Sequence, residues 1–326
     1  MRRRAALTAL PLGGCAGIQS AEDGAGRHAA IVGDLFTLFL WITGFFFLLV
    51  LLFLGWAILR RRSDGTAERG MAVTLAGWAG LITLGLFALT IASFFTDRWL
   101  AAASAGREPP LRLKVTAQQW WWQIEYLDPL PANRLRTANV IHLPAGRPVE
   151  ISLAAEDVIH SFWVPNLAGK QDLIPGRTTD IQLLPTRVGR FRGQCAEFCG
   201  LQHAHMALDI IVEPAKDFAA WRTKALAPAP APQTPQQKAD YAYFMTHQCA
   251  SCHAISGTPA QGTIGPDLTG VAGRLSLAAG TLPNNRAMLQ GWIANPQTIK
   301  PGSRMPTIKM SGAELEAVTA YLETLS

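Results

Sequence analysis

Two long stretches near the start of the chain carry no charged residue, at residues 35–59 and 71–96. A helix over the first stretch would be roughly 37 Å long, enough to cross a lipid bilayer with some tilt. The second stretch is rich in small residues, which favour close packing between helices in lipid. This pattern predicts a transmembrane helical hairpin within residues 31–97 and disfavours a buried helix pair in a soluble protein.

The segment between these stretches is basic, with Arg60, Arg61, Arg62 and Arg69. Basic residues beside membrane helices mark the cytoplasmic side. We therefore expect the chain in the inner membrane of a bacterium. Both ends of the hairpin, and everything after it, would lie on the periplasmic side.

Beyond residue 107 the apolar residues recur with a period of two, as in residues 111–115, which read Leu-Arg-Leu-Lys-Val. Three adjacent tryptophans, residues 120–122, lie on the next such segment, and we expect at least one to face outward because neighbours on a strand point to opposite faces. Short segments separated by Pro and Gly turns predict an all-β sandwich or barrel over residues 107–223. The further segments are residues 118–126, 139–143, 148–153, 179–184, 189–192 and 207–212.

The pattern changes again at residues 224–237, which read KALAPAPAPQTPQQ. Alternating Ala and Pro favour an extended, semi-rigid linker. Residues 237–247 and 312–325 then have helical character, and the second of these carries an apolar stripe. We expect a separate all-α domain over residues 238–326.

Composition supports a membrane protein, since 49% of the residues are hydrophobic and only 16% are charged. The net charge of +6 is modest, and no basic run is interleaved with aromatic residues. Nucleic-acid binding is therefore excluded as a function class.

The first residues resemble a bacterial lipoprotein signal. Three arginines precede a short apolar run that ends in Leu-Gly-Gly before Cys15. Cleavage after residue 14 would leave Cys15 as the new N-terminus, and its thiol would carry membrane lipid. A leader with an idle Cys15 is the alternative.

Candidate metal chemistry is concentrated in residues 193–206, GQCAEFCGLQHAHM, where Cys195, Cys199, His203 and Met206 lie close together. Soft sulfur with imidazole suits copper better than magnesium, calcium or manganese. Zinc accepts Cys and His but rarely Met. Two thiolates could bridge a pair of metal ions, whereas the alternative is a disulfide between Cys195 and Cys199.

A second cofactor signal is Cys249-Ala-Ser-Cys252-His253, the C-x-x-C-H signature of covalent haem attachment. The two thiols bind the haem vinyl groups, and the following histidine becomes the proximal iron ligand. All five cysteines of the chain thus have a candidate task, and no stray thiol is left over.

The sulfur-rich stretch resembles the binuclear copper (CuA) motif of cytochrome c oxidase subunit II, C-x-E-x-C-G-x-x-H-x-x-M. Residues 157–165 resemble the D-V-x-H-S-x-x-V-P segment of that family, in which His160 supplies a second imidazole. The resemblance implies a Greek-key cupredoxin domain that binds two copper ions. It implies that Cys195 and Cys199 bridge the coppers, and that His160 and His203 cap one each.

The same resemblance implies further roles. Met206 and the backbone carbonyl of Glu197 would be weak axial ligands, and the Glu197 side chain would bind a Mg2+ ion shared with subunit I. His205 matches no ligand and is expected to be a surface histidine. A glutamate near the position of Glu68 serves the mouth of a proton channel in subunit I, but the flanking W-T-x-x-P pattern is absent here. A solvated loop charge is therefore the preferred interpretation of Glu68.

The tryptophan-rich segment resembles the aromatic Q-W-x-W strand of the family. The resemblance implies that Trp120 lies between the copper site and the electron donor. Filling of the barrel core is the alternative for Trp120, and core packing is the default expectation for Trp121 and Trp122.

The C-terminal domain resembles the small class I cytochromes c, through residues 265–270 and the Arg304-Met305-Pro306 segment. Met305 is implied as the distal iron ligand, and His/Met ligation raises the iron potential into the electron-transfer range. Met310 is a competing ligand, followed by Met288.

The resemblance implies the electron-entry subunit of a haem–copper terminal oxidase, with haem c, CuA and Mg2+ as cofactors. Electrons would pass from the haem to CuA and on to subunit I, which reduces oxygen to water coupled to proton translocation. The chain would thus be part of an enzyme and would not reduce oxygen alone. Its partners would be subunit I, subunit III, membrane lipid and an electron donor, either a soluble or membrane cytochrome c or an upstream complex.

Two alternatives remain open. The first is the CuA-bearing subunit of a nitric oxide reductase. The second is a membrane-anchored copper carrier, against which the fused haem domain argues.

Overall fold

A computed structural model describes residues 16–59, 68–103 and 108–326 of the chain. The proposed lipidation site Cys15 and the arginines at positions 60–62 lie outside the described residues. The fold class predicted from the sequence is confirmed: two apolar helices precede a cupredoxin-like β-sandwich and a helical C-terminal domain, here called the cytochrome domain after the family it resembles.

The two apolar helices are α1 (Arg27–Leu59) and α2 (Glu68–Ala103), and each contains a segment long and apolar enough to cross a membrane. They contact each other closely: a Cβ on Gly85 would lie only 2.8 Å from the Phe46 ring. Most of their large apolar side chains are exposed, as expected of surfaces that face lipid.

Both helices extend beyond the uncharged stretches. Helix α1 begins early because its N-terminal end is tied to the β-sandwich. The Ala25 and Gly26 amides donate to the Asn166 carbonyl at 2.6 and 3.0 Å, and the Ala29 amide donates to the Leu167 carbonyl at 3.2 Å. The hydropathy pattern detects only the part of each helix that suits lipid.

The β-sandwich consists of two five-stranded sheets, with strand orders β3-β2-β1-β5-β8 and β4-β10-β9-β6-β7. Strand β1 pairs in parallel with β5, and β4 pairs in parallel with β10; the other pairs are antiparallel. The strands are β1 (Leu111–Gln118), β2 (Trp121–Tyr126), β3 (Leu135–Ala138), β4 (Val140–Pro144), β5 (Val149–Ala155), β6 (His160–Trp163), β7 (Gln171–Leu173), β8 (Thr179–Leu183), β9 (Gly189–Cys195) and β10 (Ala207–Glu213).

The segment 118–126 is not one strand, because β1 ends at Gln118 and β2 begins at Trp121. Trp120, Trp121 and Trp122 are only 7%, 9% and 0% exposed, but Trp121 points out of the sandwich, as expected of at least one of them, onto a face that a second domain covers. Trp122 lies in the core of the sandwich. Trp121 packs against Ala279 of the cytochrome domain, which covers this face.

Helix α3 (Ala215–Leu226) follows the sandwich and packs on it through Phe218 and Trp221, whose ring stacks on His142 at a centroid distance of 4.0 Å. The extended segment that follows is shorter than the predicted linker 224–237. The first residues of the predicted linker belong to α3, which ends at Leu226. Helix α4 (Pro235–Thr246) already begins at Pro235, because proline is favoured in the first turn of a helix.

The cytochrome domain is helical, and α4 packs against the C-terminal helix through Phe244 and Tyr321, whose rings are 5.3 Å apart. A Thr234–Gln237 capping box starts α4, and a Ser311–Glu314 box starts the C-terminal helix. The remaining elements are α5 (Cys249–Cys252), β11 (Ser276–Leu277), β12 (Leu282–Pro283), α6 (Arg286–Ala294), α7 (Pro296–Ile299) and α8 (Gly312–Glu323).

Candidate functional site

The ligand loop, residues 195–206, runs from the end of β9 to the start of β10. The β6–β9 ladder sets Phe162 opposite Cys195, and this register brings His160, two residues before Phe162, next to the Cys195 side chain. The Cys195 amide donates to the Met206 carbonyl at 2.9 Å and closes the loop. Two segments distant in sequence thus meet at one end of the sandwich.

Two sulfur atoms occupy the centre of this site. The Sγ atoms of Cys195 and Cys199 are 3.7 Å apart, which is too far for a disulfide bond of about 2.05 Å. His160 Nδ1 lies 3.8 Å from the Cys195 sulfur, and His203 Nδ1 lies 3.6 Å from the Cys199 sulfur. Each thiol therefore has its own imidazole.

Two weaker donors complete the set. Met206 Sδ lies 3.9 Å from the Cys199 sulfur, and the Glu197 carbonyl oxygen lies 3.2 Å from the Cys195 sulfur. The ligand atoms of His160, Cys195 and Cys199 all lie within 4.8 Å of one another and are buried. Sulfur and imidazole donors in this number and spacing fit a soft metal such as copper.

Asp157 orients one of the imidazoles. Its Oδ1 accepts a hydrogen bond from His160 Nε2 at 2.9 Å, so the other ring nitrogen, Nδ1, faces the sulfur atoms. Burial alone would lower the pKa of His160, but hydrogen bonds to Cys195 and Asp157 raise it above its usual value. Burial tends to raise the pKa of Asp157, yet hydrogen bonds from His160 and from the Gln119 and Val158 amides lower it. Sequence analysis assigned Asp157 no role, although it is the first residue of the D-V-x-H pattern.

The two thiols influence each other's titration because their sulfur atoms are in contact. A hydrogen bond from Cys199 lowers the pKa of Cys195 to about 3, and the hydrogen bond to Cys195 raises the pKa of Cys199. Cys195 is therefore the thiol of this pair that loses its proton more readily. Metal binding would displace the remaining proton, because thiolates are the ligating form.

The side chains of Glu197 and His205 point away from the sulfur atoms. The Glu197 carboxylate lies 3.4 Å from Lys170 Nζ at the surface, so its assignment to Mg2+ stays a prediction. His205 is exposed, and its Nδ1 lies 2.9 Å from Gln202 Oε1. Glu68 is the first residue of α2, and its channel role also stays a prediction.

The cytochrome domain contains a cavity of about 290 Å³ lined by Cys249, Cys252 and His253. His253 Nδ1 donates to the Pro266 carbonyl at 2.7 Å, which leaves Nε2 as the free ring nitrogen. Burial lowers the pKa of His253, so the imidazole is neutral and able to ligate iron. A Cβ on Gly265 would lie 2.6 Å from the His253 ring, so only glycine permits this approach. These residues fit a covalently bound haem.

Both candidate methionines on the distal side, Met305 and Met310, line this cavity, whereas Met288 is exposed and does not. Gln297 Nε2 donates to the Met305 carbonyl at 2.7 Å and holds the Met305 segment in place. The lining alone does not separate Met305 from Met310, so the choice of Met305 stays a prediction.

Trp120 lies between the two centres. Its Nε1 donates to the Cys199 carbonyl at 2.9 Å, and its ring lines the haem cavity together with Trp121. A Cβ on Gly200 of the ligand loop would lie 3.2 Å from Trp120 Cζ2, and a Cβ on Gly302 of the cytochrome domain would lie 3.4 Å from Cη2. One indole thus contacts both domains.

Two further polar residues were missed by sequence analysis. Gln119 Nε2 donates to the same Cys199 carbonyl at 2.8 Å. Lys300 is buried between the domains and donates to backbone carbonyls. No residue pattern reveals either contact, because their partners are backbone atoms.

Comparison with known families agrees with both centres. Residues 127–214 match the family described as "Cytochrome C oxidase subunit II, periplasmic domain", and residues 236–326 match the family described as "Cytochrome c". The copper-ligand loop therefore lies in a domain of the cytochrome c oxidase subunit II family. The fused C-terminal domain is a cytochrome c domain.

Individual relatives carry the same name. The chain is 38% identical over 215 residues to cytochrome c oxidase subunit 2 of Alkalihalophilus pseudofirmus, covering 65% of this chain and 60% of the relative. It is 32% identical over 225 residues to the subunit 2 of Bacillus sp. strain PS3, covering 65% and 62%. The matched region therefore spans about 60% of the length of these relatives. The crystal structure of the periplasmic domain of subunit II (CoxB) of Bradyrhizobium japonicum is 29% identical and covers 37% of this chain and 96% of that one, with a TM-score of 0.34.

Proposed function

We propose that this chain is the electron-entry subunit of a haem–copper terminal oxidase. The single observation that carries the proposal is the position of Trp120, whose ring lines the haem cavity while its Nε1 donates to the carbonyl of Cys199 at 2.9 Å. Trp120 thus contacts both the haem cavity and the sulfur-rich ligand loop, and this arrangement suits electron transfer between them. A copper carrier would have no use for this arrangement.

The residues of this chain have the following proposed tasks. A copper pair would supply a one-electron carrier held by six ligands: His160, Cys195, Glu197 through its carbonyl, Cys199, His203 and Met206. Cys249 and Cys252 attach haem c, His253 is its proximal ligand and Met305 its distal ligand. Asp157 holds the His160 ring in the ligating orientation, and Trp120 provides the path between the centres.

The remaining assignments extend this proposal to the complex. The helices α1 and α2 would anchor the chain in the inner membrane, with both redox domains in the periplasm and lipid on Cys15. Subunit I would accept electrons from the copper pair, reduce oxygen to water and move protons, and would share a Mg2+ ion with Glu197. Subunit III and a cytochrome c or upstream complex would be further partners, and a proton-entry role of Glu68 stays the less favoured assignment.

Electron paramagnetic resonance of the full chain loaded with copper tests the ligand set. We expect the multiline hyperfine pattern of one unpaired electron shared by two copper nuclei. Cys199→Ser should abolish it, because a hydroxyl is a harder and poorer bridge than a thiolate. The pattern of a single copper nucleus in the unmutated chain would contradict the binuclear site.

The terminal acceptor is tested on the purified complex. Oxygen uptake with an electron donor should exceed nitric oxide consumption. The opposite ratio would assign the chain to a nitric oxide reductase with the same copper ligands.

A further inference from the structure

Lys300 directly follows helix α7. Its ammonium group lies at the interface between the β-sandwich, here called the copper domain, and the cytochrome domain; this interface is called the seam. The residue is only 3% exposed. Its Nζ donates to the carbonyls of Trp120, His205 and Ala278 at 2.8, 2.8 and 2.9 Å. An ammonium group has three N–H donors, so all of them are satisfied by these three acceptors.

The three carbonyls come from separate parts of the fold. Trp120 lies in the connection between β1 and β2, and His205 directly precedes the copper ligand Met206. Ala278 belongs to the turn between β11 and β12 of the cytochrome domain, where its φ of 50° is unusual for a residue with a Cβ. One side chain of the cytochrome domain therefore donates hydrogen bonds to two carbonyls of the copper domain, and both carbonyls lie beside the metal ligands.

Burying a lysine ammonium group costs free energy unless hydrogen bonds replace the water that it loses. An exposed lysine normally buries its stem and keeps its ammonium in water. Here burial lowers the pKa of Lys300 to about 7, which shows how unfavourable the site would be for the ammonium group without polar contacts. Among the described residues no carboxylate forms an ion pair with Lys300, so the carbonyl dipoles supply the compensation.

The surrounding contacts show that the seam has a specific register. The Ala207 amide donates to the Ala279 carbonyl at 2.9 Å, and Gln202 Nε2 donates to the Pro301 carbonyl at 2.9 Å. Ser276 Oγ donates to Asp209 Oδ2 at 2.7 Å. Each of these bonds joins the copper domain to the cytochrome domain around Lys300.

We propose that Lys300 is a positioning residue that latches the haem domain onto the copper domain, with the Trp120 ring held against the haem cavity. The docking of the two domains by Lys300 involves only residues of this chain and does not depend on the proposed function. Its effect on the electron-transfer rate rests on the proposed function above. Lys300 acts through Trp120 and does not itself touch a metal ligand side chain.

The test compares Lys300→Met with the full unmutated chain, because methionine keeps much of the length and loses all three donors. Lys309→Met is the matched control, since Lys309 is an exposed lysine of the same domain. Hydrogen exchange at the Ala207 amide reports docking directly, because its partner lies across the seam. We expect exchange at Ala207 to become roughly tenfold faster or more in Lys300→Met, since three hydrogen bonds to a charged group are lost. Exchange in the centre of strands β1 and β5 should stay unchanged, as should all amides in Lys309→Met.

The second readout is electron transfer from the haem to the copper pair after flash photoreduction. The rate should fall in Lys300→Met while both absorption spectra stay normal, and Lys300→Arg, which keeps the charge, should recover part of it. Unchanged exchange at Ala207 together with an unchanged rate in Lys300→Met would overturn the proposal. If that variant fails to bind its cofactors, Lys300→Leu, which also loses all three donors, replaces it under the same criteria. Absence of haem-to-copper transfer in the unmutated chain would contradict the proposed function, and the exchange experiment would still decide on the latch.

Discussion

Trp120 can act as an electron path or merely as filler between two domains, and one substitution separates these roles. Trp120→Phe keeps an aromatic ring and loses the Nε1 hydrogen bond to the Cys199 carbonyl. We expect a stability loss of about 1–2 kcal/mol, because one hydrogen bond and part of the packing of the ring are lost. The haem-to-copper transfer rate, measured by flash photoreduction, should nevertheless fall clearly.

Trp120→Ala is the comparison variant. Truncation of a buried tryptophan costs about 3–5 kcal/mol, so slower transfer in this variant alone would be uninformative. Normal transfer in a folded, copper-loaded Trp120→Phe chain would show that the hydrogen bond is not part of the path.

The distal haem ligand is the second question at this scale. Met305→Ala should remove the weak sulfur-to-iron absorption band and lower the haem potential, because His/Met ligation favours a high potential. Met310→Ala is the matched control, since Met310 lines the same cavity. Loss of the band in Met310→Ala with retention in Met305→Ala would assign the ligand to Met310.

Residue types explain what could be predicted at the single-residue scale. Cys, His and Met carry their ligand atoms on distinctive side chains, so Cys195, Cys199 and Met206 could be identified from sequence spacing. Lys300 and Gln119 could not, because their partners are carbonyls, which every residue has. Asp157 lies between these cases: its carboxylate is distinctive, but its role follows only from the fold that places it at His160 Nε2.

At the scale of elements, the sequence predicted most strands of the sandwich and missed three short ones, β3, β6 and β7. Strand β5 alternates buried and half-buried residues, and it was predicted. Strand β6 is buried at three consecutive positions and β7 has only three residues, so neither shows a period of two. The hydropathy pattern located the two apolar helices but not their full length, because α1 continues into a contact with the sandwich.

That contact supplies an element-scale prediction. A Cβ on Gly26 would lie 2.5 Å from the Leu167 carbonyl oxygen, so Gly26→Ala should push the start of α1 away from the sandwich. We expect a loss of about 1–3 kcal/mol in the free energy of unfolding, as for other overpacked sites. Chemical denaturation of the detergent-solubilised chain measures this loss.

Gly33→Ala is the matched control, because Gly33 lies in α1 and a Cβ there would have no neighbour within 4 Å. This variant should be neutral or slightly stabilising, since Ala is the better helix former. Equal stability of the two variants would mean that the contact between α1 and Leu167 contributes nothing to the fold.

At the scale of the whole molecule, the connection between the domains combines a tether with a defined seam. A short tether alone makes the encounter of two domains intramolecular, with an effective concentration on the order of millimolar. The seam around Lys300 adds a fixed orientation, which a tether cannot supply. The sequence predicted the tether from its proline content, but it could not predict the seam, which depends on the surfaces of two folded domains.

The orientation of the whole chain across the membrane is the last prediction. Both redox domains follow α2, so they must lie on the side opposite the segment that joins α1 and α2. Four arginines within residues 60–69 predict that this segment lies in the cytoplasm. A reporter enzyme active only in the periplasm should therefore be inactive when fused after residue 65 and active when fused after Ser326. A reporter active only in the cytoplasm should give the reverse pattern at the same two positions, which controls for failed expression. Periplasmic activity after residue 65 with none after Ser326 would reverse the orientation, and it would place haem attachment and copper loading on the cytoplasmic side.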